Sequence, residues 1–241
     1  MRYIIFLSLL CSQLAFAGAD YVREKKWADE ITPGIVVGDA IYIEQKNKHK
    51  FLALYTEAAN AKTGLVIVHG IGIHPDWGMV GTLRSQLADQ GYTTLSIQMP
   101  VLAVDAKSGA YASTFPEASE RLQRAVEYLK GKGYKKIVIV SHSMGSHMSH
   151  YFMARNPPDV AAWAALGLAS ADTYKGIKVP VLDLYGANDL PVVLAGAKKR
   201  LASLKENPAS KQVVIPETDH FFANHEDAMV KAVKDFLDGL K

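Results

Sequence analysis

Short apolar runs, each followed by a segment with helical periodicity, constrain the fold of this chain more than any other feature. Uninterrupted apolar runs of this length are typical of strands that are buried on both faces of a parallel sheet. Strands that alternate with helices are joined by right-handed crossovers. The sequence therefore predicts an α/β protein with a mainly parallel, doubly wound sheet. The runs are Gly64–Gly70, Thr93–Pro100, Lys135–Ser141, Trp163–Ala169, Pro180–Gly186 and Lys211–Pro216.

The segment before these runs predicts a different kind of pairing. Residues 40–58 read as two strands around the turn Lys46–His49, and the first strand alternates apolar and polar residues. Such alternation indicates an antiparallel hairpin at the edge of the sheet. No linker interrupts the pattern, so residues 18–241 are expected to form a single domain. Helices are predicted at Met79–Gln90, Pro116–Lys130, Gly145–Asn156, Val192–Glu206 and from about Asn224 onward.

The charge pattern argues against one class of partner. The net charge is +3, and the basic residues are spread along the chain. The largest basic clusters are Lys25–Lys26 and Lys198–Arg200, far smaller than the basic face that a nucleic-acid-binding domain presents. We therefore expect no nucleic-acid partner.

The first 17 residues predict a cleaved signal peptide. Arg2 precedes the apolar run Tyr3–Leu14, and Ala15–Ala17 forms an A-x-A cleavage site, which is the order found in secretory signals. A membrane-spanning helix is the alternative, but Tyr3 to Ala17 would rise only about 22 Å, short of the roughly 30 Å hydrocarbon core of a bilayer. The mature chain is therefore expected in the periplasm or outside the cell, without a stable membrane anchor.

The single cysteine, Cys11, lies within that predicted signal peptide. The mature chain would then contain no disulfide, no thiol nucleophile and no cysteine-based metal site. His147 and His150 share a helix face, but no carboxylate or cysteine accompanies them at ligand spacing. We therefore predict neither a metal nor an organic cofactor.

Chemically useful residues follow four of the predicted strands. Because the carboxyl ends of parallel strands meet at one edge of a sheet, ligand sites of such folds form there. A glycine-rich loop, a serine, an aspartate and a histidine would therefore border one cleft. The four segments are His69–Gly72, Ser141–Gly145, Gly186–Asp189 and Glu217–His220.

The segment Ser141-x-Ser143-x-Gly145 resembles the nucleophile elbow, G-x-S-x-G, of the α/β-hydrolase fold family. The chain order Ser143, Asp189, His220 matches the order of that family's triad. The resemblance extends from about residue 40 to the end of the chain, and Ser141 replaces the first glycine of the motif. The segments "HGIGIHPDW" and "LSIQMPVL" are also similar to a family of small, exported, uncharacterised bacterial members of this fold.

The resemblance implies a serine hydrolase in which Ser143 is the nucleophile, His220 the base and Asp189 the acid that orients His220. It also implies that the backbone N–H groups of Met144 and Ile71 form the oxyanion hole. A serine at position 143 argues against the dehalogenase branch, which uses aspartate, and the dienelactone-hydrolase branch, which uses cysteine.

Alternatives remain for the acid and the base. Asp172 follows the preceding strand, a position that some members of the fold use, and it is the second candidate for the acid. Asp183 lies inside a strand, where a structural hydrogen bond is expected, and Asp219 would point away from its neighbour His220. Eight histidines compete for the role of base, and His225 falls one residue inside the last predicted helix, where a surface position is expected.

The substrate pocket is expected beside His74, Trp77 and His142, with the loop from Val101 to Phe115 as a further border. For Trp77, packing within its own loop is an equally good interpretation. The stretch from Ala171 to Val179 is too short to form a lid domain. An open site predicts short, soluble acyl esters as substrates.

Two functions from different classes are therefore in competition. The first is an exported serine hydrolase that cleaves small-molecule esters through an acyl-enzyme. The second is a non-catalytic binding or envelope-assembly protein that retains the fold. A fluorophosphonate probe separates them, because it labels only an activated serine. The sequence leaves the oligomeric state and the natural substrate open.

The Ala15–Ala17 site makes a prediction about the mature N-terminus. Protein recovered from the exported compartment should begin at Gly18, or at Asp20 if cleavage follows Ala19. N-terminal sequencing measures this directly. Membrane-bound protein that still begins at Met1 would instead identify the segment as an anchor.

Overall fold

The computed structural model describes residues 18–168 and 173–240. The predicted signal peptide, residues 1–17, therefore lies outside the described residues, as does Asp172. The strands are β1 Asp39–Glu44, β2 Lys50–Thr56, β3 Thr63–Val68, β4 Thr93–Ile97, β5 Lys136–His142, β6 Ala162–Leu166, β7 Val181–Gly186 and β8 Lys211–Ile215. The helices are α1 Tyr21–Ile31, α2 Gly78–Asp89, α3 Phe115–Gly131, α4 Met144–Met153, α5 Pro191–Leu204 and α6 Glu226–Asp238, with 3-10 helices at Thr32–Gly34 and Ser108–Thr114.

The described strands form one eight-stranded sheet in the order β1-β2-β4-β3-β5-β6-β7-β8. The hairpin β1–β2 is antiparallel, and β2 also pairs antiparallel with β4. The pairs from β4 to β8 are parallel. The predicted mainly parallel sheet with an antiparallel N-terminal hairpin is confirmed. The apolar runs fix this arrangement, because the central strands β3, β4 and β5 are buried along almost their whole length.

Helices cover both faces of the sheet. Apolar residues of α3 and α4 pack on one face, together with the large buried side chain of Trp163. Apolar residues of α2 and α6 pack on the other face. Helix α3 illustrates the cause: its residues Ala118, Leu122, Ala125 and Leu129 recur at helical spacing and are fully buried.

Helix α1 is the one α-helix of the described residues that the sequence pattern did not predict. Its sequence is rich in charged residues, and few of its side chains are buried. Ala28 contacts Leu52 and Leu54 of β2. Glu24 is buried, and its carboxylate accepts hydrogen bonds from both terminal nitrogens of Arg121, at 2.9 and 3.2 Å. Long-range contacts, rather than local periodicity, therefore hold this helix.

The start of the last helix also differs from the prediction. Helix α6 begins at Glu226 with His225 as its N-cap, not at an N-cap of Asn224. Asn224 has a φ of +62°, which lies in the left-handed region that asparagine tolerates better than most residues. His225 therefore precedes the helix instead of lying within it.

Residues 167–180 connect β6 to β7, and the described part of this connection contains no helix. The connection is too short to hold an inserted lid domain, as the sequence predicted, and residues 167–168 and 173–180 form none. Within residues 18–168 and 173–240, no helix combines the length and apolar character that a bilayer crossing requires.

The buried pair between Glu24 and Arg121 predicts the importance of α1 for stability. Glu24→Ala should lower the free energy of unfolding by about 3 kcal/mol, because it leaves a buried guanidinium short of a partner. Urea unfolding measures this effect. Lys25→Ala is the matched control, because Lys25 pairs with Asp29 on the exposed side of the same helix, and it should leave the midpoint nearly unchanged. Equal losses in both variants would contradict the proposed role of the buried pair.

Candidate active site

Ser143 occupies the turn between β5 and α4. Its backbone has a φ of +54° and a ψ of −121°, a conformation that side chains other than glycine rarely adopt. Strain of this kind persists only where the surrounding structure enforces it. Here β5 is buried before the turn and α4 begins at the very next residue. A Cβ on Gly145 would collide with the carbonyl oxygen of His69, so this turn requires glycine at that position.

Ser141 stands where the elbow motif has its first glycine, and the structure accommodates its hydroxyl. The Oγ of Ser141 accepts a hydrogen bond of 2.8 Å from the indole nitrogen of Trp163 on the neighbouring strand β6. The same Oγ lies 3.1 Å from the hydroxyl of Ser146. The replacement therefore adds buried, hydrogen-bonded contacts without disturbing the turn.

Ser143, His220 and Asp189 form a continuous hydrogen-bonded chain. The Nδ1 of His220 lies 2.6 Å from Oδ1 of Asp189, and its Nε2 lies 2.8 Å from Oγ of Ser143. A carboxylate only accepts hydrogen bonds, so Nδ1 carries the proton and Nε2 is free to accept the serine proton. The structure therefore brings together the three residues that the sequence proposed as nucleophile, base and acid.

Two glycines allow His220 to reach this position. A Cβ on Gly167 would lie 2.9 Å from Cε1 of the His220 ring, and Gly167 has a φ of +56°. A Cβ on Gly186 would collide with the backbone oxygen of Thr218, in the loop that leads to His220. Sequence reasoning did not identify the role of Gly167. The sequence feature that could have pointed to Gly167 is its position directly after the apolar residues of β6.

The carboxylate of Asp189 is held in place by backbone donors. The N–H of Leu190 donates to Oδ1 at 2.7 Å, and the N–H of Gly186 donates to Oδ2 at 3.4 Å. These bonds leave Oδ1 facing His220. The side chain of Asp189 is fully buried, so solvent does not compete for the carboxylate.

The other aspartates near the site have different contacts. Asp183 is buried and accepts hydrogen bonds from Arg200 at 2.9 and 3.0 Å and from the hydroxyl of Tyr174 at 2.8 Å. Asp219 accepts from the backbone N–H groups of Phe221 and Ala223 in its own turn. Asp172 lies outside the described residues, so its alternative role as the acid remains a prediction.

The predicted oxyanion donors, Met144 and Ile71, line one cavity together with Ser143. Met144 is the first residue of α4, and the first N–H groups of a helix have no partner within the helix. Ile71 lies in the loop after β3, and its side chain borders the space in front of Ser143. The roles of both N–H groups remain predictions.

His69 ties the Ile71 loop to the end of β4. Its Nε2 accepts a hydrogen bond of 2.9 Å from the backbone N–H of Met99, so Nδ1 carries the proton and donates to the carbonyl oxygen of Gly70 at 2.8 Å. Burial lowers the pKa of His69 to about 3. The ring therefore stays neutral, as these two bonds require.

His142 supports the loop that carries His220. Its Nε2 donates a hydrogen bond of 2.9 Å to the backbone oxygen of His220, and the two rings lie 4.8 Å apart. Burial, together with the charge that His220 can carry, lowers the pKa of His142 to about 4. His142 is therefore neutral near pH 7, and it adds no positive charge beside His220.

Two open cavities meet at Ser143. The first, which we call the aromatic cavity, has a volume of about 230 Å³ and is lined by Gly70, Ile71, Ile73, Trp77, His142, Ser143, Leu190, His220 and Phe221. The second, which we call the apolar cavity, has a volume of about 440 Å³ and is lined by Ile71, Ser108, Gly109, Ala112, Phe115, Ser143, Met144, His147, Leu190 and Val192.

Two of the three predicted pocket residues, Trp77 and His142, line the aromatic cavity. His74 lines neither cavity: its ring packs against Trp27 of α1, and its Nδ1 accepts from the N–H of Asp76. Sequence reasoning missed Leu190 and Phe221, which lie in loops without a recognisable motif. Phe221 carries a weak signal, since it directly follows the proposed base.

The histidines near the site do not assemble into a metal centre. His147 lines the apolar cavity. His150 donates a hydrogen bond from Nε2 to the backbone oxygen of Thr173. Across residues 18–168 and 173–240, no group of three histidine, cysteine, aspartate or glutamate side chains is arranged to hold a metal ion.

Comparison with solved structures identifies the fold. A dienelactone hydrolase from Anabaena variabilis has a TM-score of 0.67 and 18% identity, over 83% of this chain and 96% of that chain. The esterase Pf2001 from Pyrococcus furiosus has a TM-score of 0.68 and 14% identity, over 83% and 91%. A Xanthomonas campestris protein described as an α/β serine hydrolase without a lid has a TM-score of 0.67 and 14% identity, over 85% and 95%.

The chain has the α/β-hydrolase fold.

Sequence comparisons agree with this fold and extend over two parts of the chain. A family described as "Protein of unknown function (DUF3530)" matches residues 36–119. The lecithin:cholesterol acyltransferase family matches residues 116–225, a range that contains Ser143, Asp189 and His220. No curated protein sequence matches the chain. The solved structures with this fold include proteins named as hydrolases and esterases.

The low pKa of His142 predicts a loss of stability in mild acid. Between about pH 6.5 and 4 the unfolded histidine binds a proton and the folded one does not, so stability rises with pH and is lost on acidification. A shift of this size corresponds to about 3 kcal/mol. Urea unfolding at pH 7, 5.5 and 4.5 measures the slope. His142→Gln should reduce this slope and leave the part due to His69, whose pKa is also low, and an unchanged slope in that variant would contradict the assignment.

Proposed function

We propose that this protein is an exported serine hydrolase that cleaves small acyl esters. The observation that carries the proposal is the chain of hydrogen bonds from Asp189 through His220 to Ser143, with the serine at a strained turn before a helix. The fold, and the hydrolases and esterases among its structural neighbours, support the reaction class. The predicted signal peptide supports a periplasmic or secreted location.

In the first half of the reaction, the Nε2 of His220 takes the proton of Ser143 as Oγ attacks the ester carbon. The carboxylate of Asp189 keeps the proton of His220 on Nδ1 and stabilises the imidazolium that forms. The N–H groups of Met144 and Ile71 donate to the oxyanion. Collapse of the intermediate breaks the bond to the leaving oxygen, which receives the proton from Nε2.

In the second half, water attacks the acyl-enzyme. His220 accepts a proton from the water and then returns a proton to Oγ of Ser143, which releases the carboxylic acid. These steps use only side chains and N–H groups of this chain. His142, held neutral by burial, keeps the backbone of His220 in place through both halves.

The rival proposal is a binding or envelope-assembly protein without activity. The hydrogen-bonded triad argues against it, because binding alone needs neither a strained serine nor the tautomer of His220 that accepts a proton. Ser141 stands in place of the first glycine of the elbow motif, and this departure is the feature that favours the rival. Its hydroxyl accepts a hydrogen bond from Trp163, and the turn keeps the elbow conformation.

The triad predicts the behaviour of two variants. Ser143→Ala should abolish both labelling by a fluorophosphonate probe and turnover of a short-chain ester. Asp189→Asn should reduce turnover by about 10⁴-fold, the loss known for the equivalent change in a serine protease, because the asparagine side chain favours the wrong tautomer of the histidine. Gel fluorescence and initial rates measure these two effects.

Matched controls separate the triad from general effects on folding. Ser85→Ala removes a partly buried hydroxyl on α2, and Asp235→Asn removes an exposed carboxylate on α6. Both should keep full labelling and turnover. Labelling of Ser143→Ala at the wild-type level would reject the nucleophile. If Asp172→Asn rather than Asp189→Asn lost activity, the acid would instead follow β6.

A further inference from the structure

The two cavities share one boundary, and the proposed nucleophile lies on it. Ile71, Ser143 and Leu190 line both the aromatic and the apolar cavity. A substrate held at Ser143 therefore extends one part into each cavity. The two parts of an ester are the acyl group and the leaving alcohol, so the question is which part each cavity receives.

The position of His220 decides the assignment. His220 lines the aromatic cavity, whereas the walls of the apolar cavity include Met144, the proposed oxyanion donor, and not His220. The leaving oxygen must lie within hydrogen-bond reach of Nε2 to receive its proton. The acyl group stays attached to Ser143 and needs no contact with the base.

We propose that the aromatic cavity binds a compact aromatic leaving alcohol and that the apolar cavity binds a medium-length, unbranched acyl chain. This inference rests on the proposed serine-hydrolase function. In the step concerned, the bond between the acyl carbon and the alcohol oxygen breaks. The electron pair stays on that oxygen, which takes the proton from Nε2 of His220, and the alcohol leaves through the aromatic cavity.

The walls of the aromatic cavity suit an aromatic ring. The rings of Trp77 and Phe221 lie 5.6 Å apart at 63°, and those of His220 and Phe221 lie 5.3 Å apart at 74°. Such edge-to-face arrangements are the ones that aromatic groups prefer. At about 30 Å³ for each water-sized group, the cavity has room for about eight such groups, which is the size of one substituted ring.

The walls of the apolar cavity suit an alkyl chain. The 3-10 helix Ser108–Thr114 forms one wall, where the small residues Gly109 and Ala112 leave space. Phe115 and Val192 contribute further apolar wall surface. The cavity has almost twice the volume of the aromatic cavity. Two of its wall residues are exposed, Val192 to 50% and Leu190 to 43%. Large exposed apolar side chains at a binding site indicate an apolar ligand.

Two isomeric esters test the assignment directly. Benzyl hexanoate carries the aromatic ring in the alcohol, and pentyl phenylacetate carries it in the acid. Values of kcat/KM, each divided by the rate of alkaline hydrolysis of the same ester, should favour benzyl hexanoate by about tenfold or more, the discrimination that a well-fitted apolar pocket provides. A preference for pentyl phenylacetate would reverse the assignment and overturn the proposal.

Variants in each cavity test the same assignment independently. Phe221→Ala should lower kcat/KM for benzyl hexanoate several-fold more than for isobutyl hexanoate. Ala112→Phe should lower kcat/KM for benzyl hexanoate more than for benzyl acetate. Leu201→Ala is the control, because Leu201 is 47% exposed on α5 and lines neither cavity, and it should leave all ratios unchanged. If Phe221→Ala or Ala112→Phe lowered kcat/KM equally for the two esters compared with it, the proposal would be overturned.

The labelling of Ser143 separates this inference from the function on which it rests. Wild-type protein that a fluorophosphonate probe labels at Ser143, but that hydrolyses both isomers at equal normalised rates, would reject the cavity assignment alone. Protein that the probe does not label would reject the serine-hydrolase function and the assignment with it.

Discussion

At the turn between β5 and α4, the first turn of the helix passes against the carbonyl oxygen of His69, and Gly145 is the residue at the contact. This close approach depends on the buried strands β3 and β5, which lie side by side in register. It leaves Ser143 at a φ of +54°, a strain of about 1–3 kcal/mol that the surrounding packing must hold. The sheet therefore does more than support the site, because it enforces the backbone that exposes the serine.

Two buried, neutral histidines connect the loops around that turn. His69 links the Gly70 carbonyl to the backbone of Met99, and His142 links the end of β5 to the backbone of His220. Burial keeps both rings neutral, because the charged form would lose its hydration. In His69, a second ring proton would also occupy the nitrogen that accepts from the N–H of Met99. The three loops at this edge of the sheet are thus fixed to one another by the hydrogen bonds of two neutral rings.

The sheet could be predicted because its strands are continuous apolar runs, and the order of Ser143, Asp189 and His220 could be read from a motif and from the ends of those strands. Helix α1 could not be predicted, because Glu24 is stabilised by Arg121, which lies 97 residues away. The residues that line the cavities could be predicted only in part, because Leu190 and Phe221 lie in loops whose path depends on the whole fold. His74 follows β3, where a pocket residue was predicted, but its ring packs against Trp27 and lines neither cavity.

The shared wall between the cavities limits how their specificities can change. Ile71 and Leu190 contact the space on both sides of Ser143, so a substitution at either position alters the fit of both halves of a ligand at once. Residues that share a contact in this way are energetically coupled, and the effects of their substitutions do not add. Residues that face one cavity only, such as Ala112 or Trp77, can vary without that coupling. Adaptation to a new substrate would therefore proceed most easily through substitutions of residues that line one cavity only. Ile71 and Leu190, which line both cavities beside Ser143, would change last.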